Sequence, residues 1–399
     1  MRIGFVTDNY KPYVSGVINF ISLNRLYLER RGHEVWVFAF GGPGAGSTPE
    51  DPHVVLSPGV KVHGTAGFRV GPRFTREVHQ LLTRMDVVHV DDPFWSGRLA
   101  LSVCHRHGVP VVFTNHTRVD LYPDYFLKMF PEGSLDDALA SYMRRFCRRV
   151  DLVISPTASV AEVLLSLGVD VPIRVIRNGV DIDAFLGMAS RPGAREEARE
   201  RRRELNVADD HVLFAYTGRL SVEKNLSLLL AAFAAVAEEA ADTHLVFIGD
   251  GPYRPTLEEE VERASLSRRI RFAGMVAYED MPAELALCDV WATASTTEVD
   301  PLTLIEAMAA GLPVVGPASP GIVDTVEDGV TGLLSQPDDS DSLAECMLAL
   351  AIDPRLRRAI GDAAREASRR YSIEETGAEL LGIYEEVVQQ KATKTPITG

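Results

Sequence analysis

Val-Val-Phe at 111–113 and Leu-Val-Ile at 152–154 place apolar side chains on consecutive positions, with no polar alternation. A strand with one wet face alternates, whereas a strand that is apolar throughout must be covered on both faces, as in a parallel sheet. Runs of this kind recur at 2–7, 34–40, 86–91, 110–114, 151–155 and 173–176. Amphipathic stretches separate them, at 17–30, 95–107, 137–149 and 157–167. Strand–helix alternation at this spacing predicts a doubly wound α/β domain.

The alternation breaks at 178–194, where turn residues without a sustained period read as a linker. Arg195 to Glu204 is a charged stretch with i,i+4 opposite-sign pairs, read as a solvated surface helix. Apolar runs then resume near 211–217, 243–248, 269–273, 289–293 and 313–316. A chain of 399 residues has room for two such domains. The expected division is 1–185, 186–372, and a final helix and tail over 373–399, the helix packing back on the N-terminal domain.

The net charge of −15 makes the chain a poor general binder of nucleic acid. The charge is uneven: residues 1–190 hold 20 basic and 19 acidic side chains, the remainder 21 and 37. An anionic partner therefore meets the first half more easily. Cys104, Cys147, Cys288 and Cys346 show no CxxC or metal spacing and are expected to be reduced. The first apolar run ends at Asp8, so it reads as a strand rather than a signal peptide. No uncharged apolar stretch approaches the ~18 residues of a membrane span. A soluble, cytoplasmic protein is expected.

In open doubly wound sheets, ligands bind beyond the carboxyl ends of the strands. Gly41 to Gly46 follows a strand but leads into Ser-Thr-Pro-Glu-Asp-Pro instead of a helix, so it reads as a loop and not as a dinucleotide turn. No GxxxxGK[ST] phosphate loop occurs. Tyr216 to Asn225 is better placed, after the first strand of the second domain and before an apolar helix. Gly218 permits a tight turn there, and Arg219 and Lys224 can converge on an anion at the helix start. After the strand 289–293, a loop carries Glu298 and Asp300, a helix opens near Pro301, and Glu306 follows about one turn in. Carboxylates so placed accept from adjacent hydroxyls of a polyol.

Glu298 and Glu306 form a Glu-x7-Glu pair followed by Ala-Met-Ala-x-Gly-x-Pro-Val-Val. With Gly218-Arg-Leu220 and Asn225, this resembles the retaining glycosyltransferases of family 4, which have the GT-B fold. Matching pieces are Tyr13-Val-Ser-Gly-Val17, Arg31-Gly-His-Glu-Val35, Arg177-Asn-Gly-Val-Asp181, Ile248-Gly-Asp-Gly-Pro252, Phe272-Ala-Gly-Met-Val276 and Glu327-Asp-Gly-Val-Thr-Gly332. They run from the first strand to about residue 335, so the resemblance covers most of the chain. The implied fold is α/β: two doubly wound Rossmann-like domains facing across a cleft.

The resemblance implies roles position by position. Arg219 and Lys224 bind the donor diphosphate and stabilise it as leaving group, with Gly218 in the same turn. Glu306 accepts from the ribose hydroxyls. Glu298 holds hydroxyls of the donor sugar, helped by N–H groups near Leu302 and Thr303. Met275 and Val276 line the base pocket, Gly16 lets its loop approach the diphosphate, and His116 faces the donor sugar. Many members have Gly-Phe-Gly between the paired glutamates where this chain has Val299-Asp300-Pro301, which leaves the sugar open. The family needs no metal or cofactor beyond the nucleotide-sugar donor, with UDP-glucose expected.

His116 to Phe130 is rich in aromatic and apolar residues and resembles the His-Thr-x-x-Asp-x-Tyr segment of bacterial diacylglycerol glucosyltransferases. It assigns Asp120, Tyr122, Tyr125 and Phe126 to a hydroxyl acceptor, with a diacylglycerol-like lipid leading and a soluble sugar, polyol or natural product as the alternative. Arg144, Arg145, Arg148 and Arg149 form a basic helix end that would suit peripheral contact of the first domain with the inner face of a membrane. A nucleotide-sugar epimerase on the same architecture would lack the acceptor pocket. A two-lobed solute-binding protein would want a signal peptide and gives no reason for Arg219, Lys224 and the paired glutamates.

Overall fold

The computed structural model describes residues 1–13, 15–42, 46, 51–62, 68–121, 136–188 and 191–394. The chain forms two compact units, Met1–Gly179 with Ile373–Gly399, and Val180–Ser372.

The first unit contains β1 (Arg2–Val6), β2 (Glu34–Gly41), β3 (Val54–Pro58), a short antiparallel pair β4 (Val60–Lys61) and β5 (Arg69–Val70), β6 (Val87–Val90), β7 (Val111–Thr114), β8 (Leu152–Ser155) and β9 (Ile173–Val175). Seven of these make a wholly parallel sheet in the order β3-β2-β1-β6-β7-β8-β9. β6 and β7 are buried at every position, which is what their unbroken apolar runs require. Val88, Phe113 and Phe146 belong to one core cluster of this unit. The strand order reverses between β1 and β6, and the crevice at such a switch point is where open sheets bind ligands.

The second unit holds β10 (Val212–Thr217), β11 (Thr243–Ile248), β12 (Ile270–Gly274), β13 (Val290–Ala292), β14 (Val314–Pro317) and β15 (Gly332–Ser335). They pair in parallel in the order β12-β11-β10-β13-β14-β15. The switch point lies between β10 and β13. Phe214, Phe233 and Phe247 fill one face of the sheet, and Trp291, Leu304 and Met308 fill the other.

Several expectations are corrected. The stretch 178–194 is not an irregular linker throughout: Ile182–Met188 is a helix that buries Ile182 and Phe185 in the second unit. The unit boundary accordingly falls at Gly179–Val180 instead of 185. Ala194–Glu204 is the expected charged helix, but Arg202 is not solvated. Its guanidinium is buried and donates to the carbonyls of Leu287, Ala208 and His211 and to Asp289. The strands β3 and β15 were not anticipated; both are short sheet edges, one ending in proline and one beginning with glycine. The final helix, Ile373–Lys394, belongs to the first unit and buries Leu380, Ile383, Tyr384 and Val387.

Candidate functional site

The carboxyl ends of β10, β11 and β12 are locked together through their backbones. Gly218 N donates to Ile248 O at 3.0 Å, Leu220 N to Asp250 O at 3.1 Å, Tyr253 N to Leu220 O at 2.9 Å, and Gly249 N to Gly274 O at 2.8 Å. A Cβ on Gly249 would stand 2.0 Å from Gly218 O, and one on Gly251 2.2 Å from Leu220 O. Gly218 and Gly249 both have φ near +140°, a region open to glycine. The Gly-Asp-Gly motif thus holds the turn that carries Arg219. Buried Tyr216 ties the same turn, its hydroxyl donating to Arg219 O at 3.1 Å. Burial, with Glu298 and Glu223 adding, holds that phenol well above its usual range.

Beyond this turn, a short 3-10 segment, Val222–Lys224, leads to Asn225 at φ 52°, which launches the helix Leu226–Glu239. Lys224 Nζ donates to Glu298 Oε1 at 2.7 Å, with the two side chains 22% and 16% exposed. Thr297 Oγ1 donates to Glu223 O at 3.3 Å, so the two loops meet along their length. Two motifs read separately in the sequence are therefore one site at the switch point. A Cβ on Gly321 would lie 2.5 Å from Glu298 O, so the Ser319–Gly321 turn backs the Glu298 loop closely.

Pro301 precedes the helix Leu302–Ala310 and supplies no side-chain cap, so the first-turn N–H groups of Leu302 and Thr303 are not satisfied by one. Glu306 is the fifth residue of this helix and is 2% exposed. Its Oε1 is buried with no hydrogen-bond partner, and burial pushes its carboxyl up to about 8. Tyr278 is mostly enclosed nearby, its phenol raised by burial and then by Glu306 and Asp181. Neither Tyr278 nor its relation to Glu306 was legible in the sequence. Met275 is 55% exposed and Val276 half-buried, so an apolar surface is available beyond β12.

In the first unit, His116 follows β7, and its Nε2 is 2.9 Å from Asp91 Oδ1. Asp91 and Asp92 follow β6 directly, and Asp8 lies just beyond β1. Asp92 Oδ2 accepts from Thr7 Oγ1 and from Asp8 N, both at 2.7 Å, while Asp8 Oδ1 accepts from Ser96 N at 2.7 Å. Burial and the neighbouring Asp92 raise Asp8 to about 8 and Asp91 well above the carboxylate range. A Cβ on Gly97 would sit 2.2 Å from Asp92 O, so the helix Ser96–His107 presses on this strand end. Asp8, Asp91 and Asp92 carry no motif that marks them in the sequence. Their one sequence signal, shared with His116, is a polar residue just past an apolar strand.

Gly16 opens the helix Gly16–Arg30, where Ser15 Oγ accepts from Ile18 N at 3.3 Å. A Cβ on Gly16 would meet nothing within 4 Å, so nothing in this unit requires its small size. The Asp120 carboxylate is engaged by Arg118, at 2.9 and 2.7 Å. Tyr122, Tyr125 and Phe126 lie outside the described residues. The basic helix end is partly committed: Arg148 pairs with Asp170 at 2.7 Å, and Arg144 donates to Leu167 O at 2.8 Å. Among the described residues, no helix is long and apolar enough to cross a membrane.

Comparison with known proteins finds relatives along most of the chain. A family model described as "Glycosyl transferases group 1" matches residues 197–367, and one described as "Glycosyltransferase Family 4" matches residues 14–184. An alpha-monoglucosyldiacylglycerol synthase of Streptococcus pneumoniae is 30% identical over 356 residues, 88% of this chain and 79% of that one. A GDP-mannose-dependent alpha-mannosyltransferase of Mycolicibacterium smegmatis is 30% identical over 408 residues, 99% of this chain and all of that one. Among solved structures, Anabaena HepE in complex with UDP and glucose superposes with a TM-score of 0.75 at 22% identity, covering 97% of this chain and 100% of that one.

Proposed function

Because the chain belongs to the retaining glycosyltransferases of family 4, with the GT-B fold, and uses a nucleotide sugar, we propose that it moves glucose from UDP-glucose to a diacylglycerol-like lipid. The donor half rests on one observation, the Lys224–Glu298 contact at the switch point of the second unit. Lys224 and Arg219 neutralise the departing diphosphate, which the positive start of a helix also favours. Glu298 accepts from hydroxyls of the hexose, with the N–H groups of Leu302 and Thr303 beside it. Glu306, a buried carboxylate with an unused acceptor, takes the ribose hydroxyls. Gly218 shapes the turn, Met275 and Val276 meet the base, Gly16 admits the diphosphate, and His116 meets the sugar. No metal or cofactor is assigned to the reaction.

The acceptor half is supported by two relatives named alpha-monoglucosyldiacylglycerol synthase, one of them from Acholeplasma laidlawii, 25% identical over 99% of both chains. Asp120, Tyr122, Tyr125 and Phe126 are assigned to that acceptor, at the inner face of a membrane that the first unit touches from the cytoplasm. The full-length match to the mannosyltransferase favours a second reading, GDP-mannose with another hydroxyl acceptor. The test offers UDP-glucose and GDP-mannose, each with detergent-dispersed diacylglycerol and with soluble sugars, and identifies products by mass spectrometry. Glucosyl lipid from UDP-glucose supports the proposal. A mannosylated product replaces it with the second reading, and a purely soluble glucoside keeps the donor and removes the lipid acceptor.

A further inference from the structure

A buried hydrogen-bond chain that the roles above leave unused runs beneath His116. His89, in β6, is 0% exposed; its Nδ1 is 2.5 Å from the Tyr384 hydroxyl and its Nε2 is 2.6 Å from Thr114 Oγ1. Tyr384 belongs to the final helix and is also 0% exposed. Asp91, two residues beyond His89, places Oδ1 2.9 Å from His116 Nε2 and 3.7 Å from His89 Nε2. Its other oxygen, Oδ2, is buried without a hydrogen-bond partner. The ring of Phe20 packs against both histidines, at 4.7 Å from His116 and 5.8 Å from His89 between centroids. His116 is therefore held at one edge by a carboxylate and packed by an aromatic ring.

A carboxylate buried for packing alone is a poor choice, because desolvation costs more than one hydrogen bond returns. What such a carboxylate does well is fix the tautomer and orientation of an imidazole. Among the described residues, the ionisable groups beside it are His89 in β6, Asp92, His116 after β7 and Tyr384 on the final helix. Burial keeps His89 neutral, well below the usual histidine range, so it does not compete as a cation for Asp91.

We infer that Asp91 is a positioning residue for hexose transfer, fixing the ring orientation and tautomer of His116, with the Tyr384–His89–Thr114 chain holding the strand end beneath it. This rests on His116 meeting the donor sugar, as proposed above. The test compares Asp91→Asn, His116→Ala, their double variant and Tyr384→Phe with the wild type. Donor turnover is separated into kcat and KM, and imidazole 15N spectra of His116 are recorded. Asparagine keeps the volume and replaces the acidic oxygens with an amide, and Tyr384→Phe removes only the hydroxyl.

Asp91→Asn should lower kcat up to about a hundred-fold, the scale of a misplaced catalytic group, with KM for the donor nearly unchanged. The His116 15N shifts should move, the double variant should be no slower than His116→Ala, and Tyr384→Phe should lower kcat less. Wild-type kcat in Asp91→Asn beside an impaired His116→Ala overturns this inference and leaves the role of His116 standing. Wild-type kcat in His116→Ala overturns both. Fully additive losses in the double variant overturn the coupling.

Discussion

Lys224 Nζ stands 2.7 Å from Glu298 Oε1, across 74 residues of sequence. The cation assigned to the leaving group and the carboxylate assigned to the sugar thus satisfy one another. On the proposed roles, donor entry is expected to exchange that contact for one with a diphosphate on the lysine side and with sugar hydroxyls on the glutamate side.

Lys224→Ala and Arg219→Ala should each lower turnover by about a hundred-fold or more, the scale of losing one preorganised charge at a developing anion. Steady-state release of the nucleotide measures this. Unchanged rates in both variants would remove the assignment.

Glu306 gives a pH signature. Its folded carboxyl is raised from 4.5 to about 8, so the folded state holds a proton that the unfolded state has lost between those values. The stability associated with this group is fully present below 4.5 and is lost as pH rises through about 8. Glu306→Gln should therefore gain stability over the wild type progressively between about pH 4.5 and 8, on the order of several kcal/mol at the upper end, read as a growing difference in Tm. Parallel Tm curves would contradict it. The same variant should bind UDP more weakly, whereas Glu298→Gln should chiefly lower kcat. Ribose hydroxyls favour the ionised carboxylate, so wild-type binding of UDP near neutral pH should release protons; calorimetry in buffers of different ionisation heat reads this.

Gly249→Ala should impair donor turnover although the residue carries no reactive group. Its Cβ would meet Gly218 O at 2.0 Å and sit at a φ of +140°, so the Arg219 turn must shift. Strain of this kind costs about 1–3 kcal/mol. A variant with wild-type kcat and Tm would show that the turn is not held as described.

Full activity in EDTA is expected, because Arg219, Lys224 and the helix start supply the positive charge a metal would otherwise bring. An absolute requirement for magnesium or manganese, read in the same turnover assay, would overturn it.

Replacing two of Tyr122, Tyr125 and Phe126 by Ser should weaken the acceptor by a few kcal/mol, since aromatic side chains bury large apolar area, while leaving donor hydrolysis nearly intact. Equal KM for dispersed diacylglycerol in wild type and variant would detach this segment from the acceptor.

The parallel two-unit organisation was legible because β10 and β11 are buried at all six positions and so carry uninterrupted apolar runs. Arg219, Lys224, Glu298 and Glu306 were legible because each lies just past such a run or early in the helix after it. Their pairing was not, because a contact across 74 residues depends on which strands become neighbours. The same holds for Asp91 and His116, which meet only because β6 and β7 are adjacent. The helix Ile182–Met188 escaped notice because seven residues with two core side chains are too few to establish a period.

The most direct test incubates the purified protein with UDP-glucose and dispersed diacylglycerol in EDTA, and reads the product by mass spectrometry and anomeric proton coupling. Retention of the donor's α configuration predicts an α-linked monoglucosyl lipid, with one UDP released per product and loss of both in Lys224→Ala. A β-linked product, or UDP-glucose left untouched while another nucleotide sugar is consumed, would contradict the account.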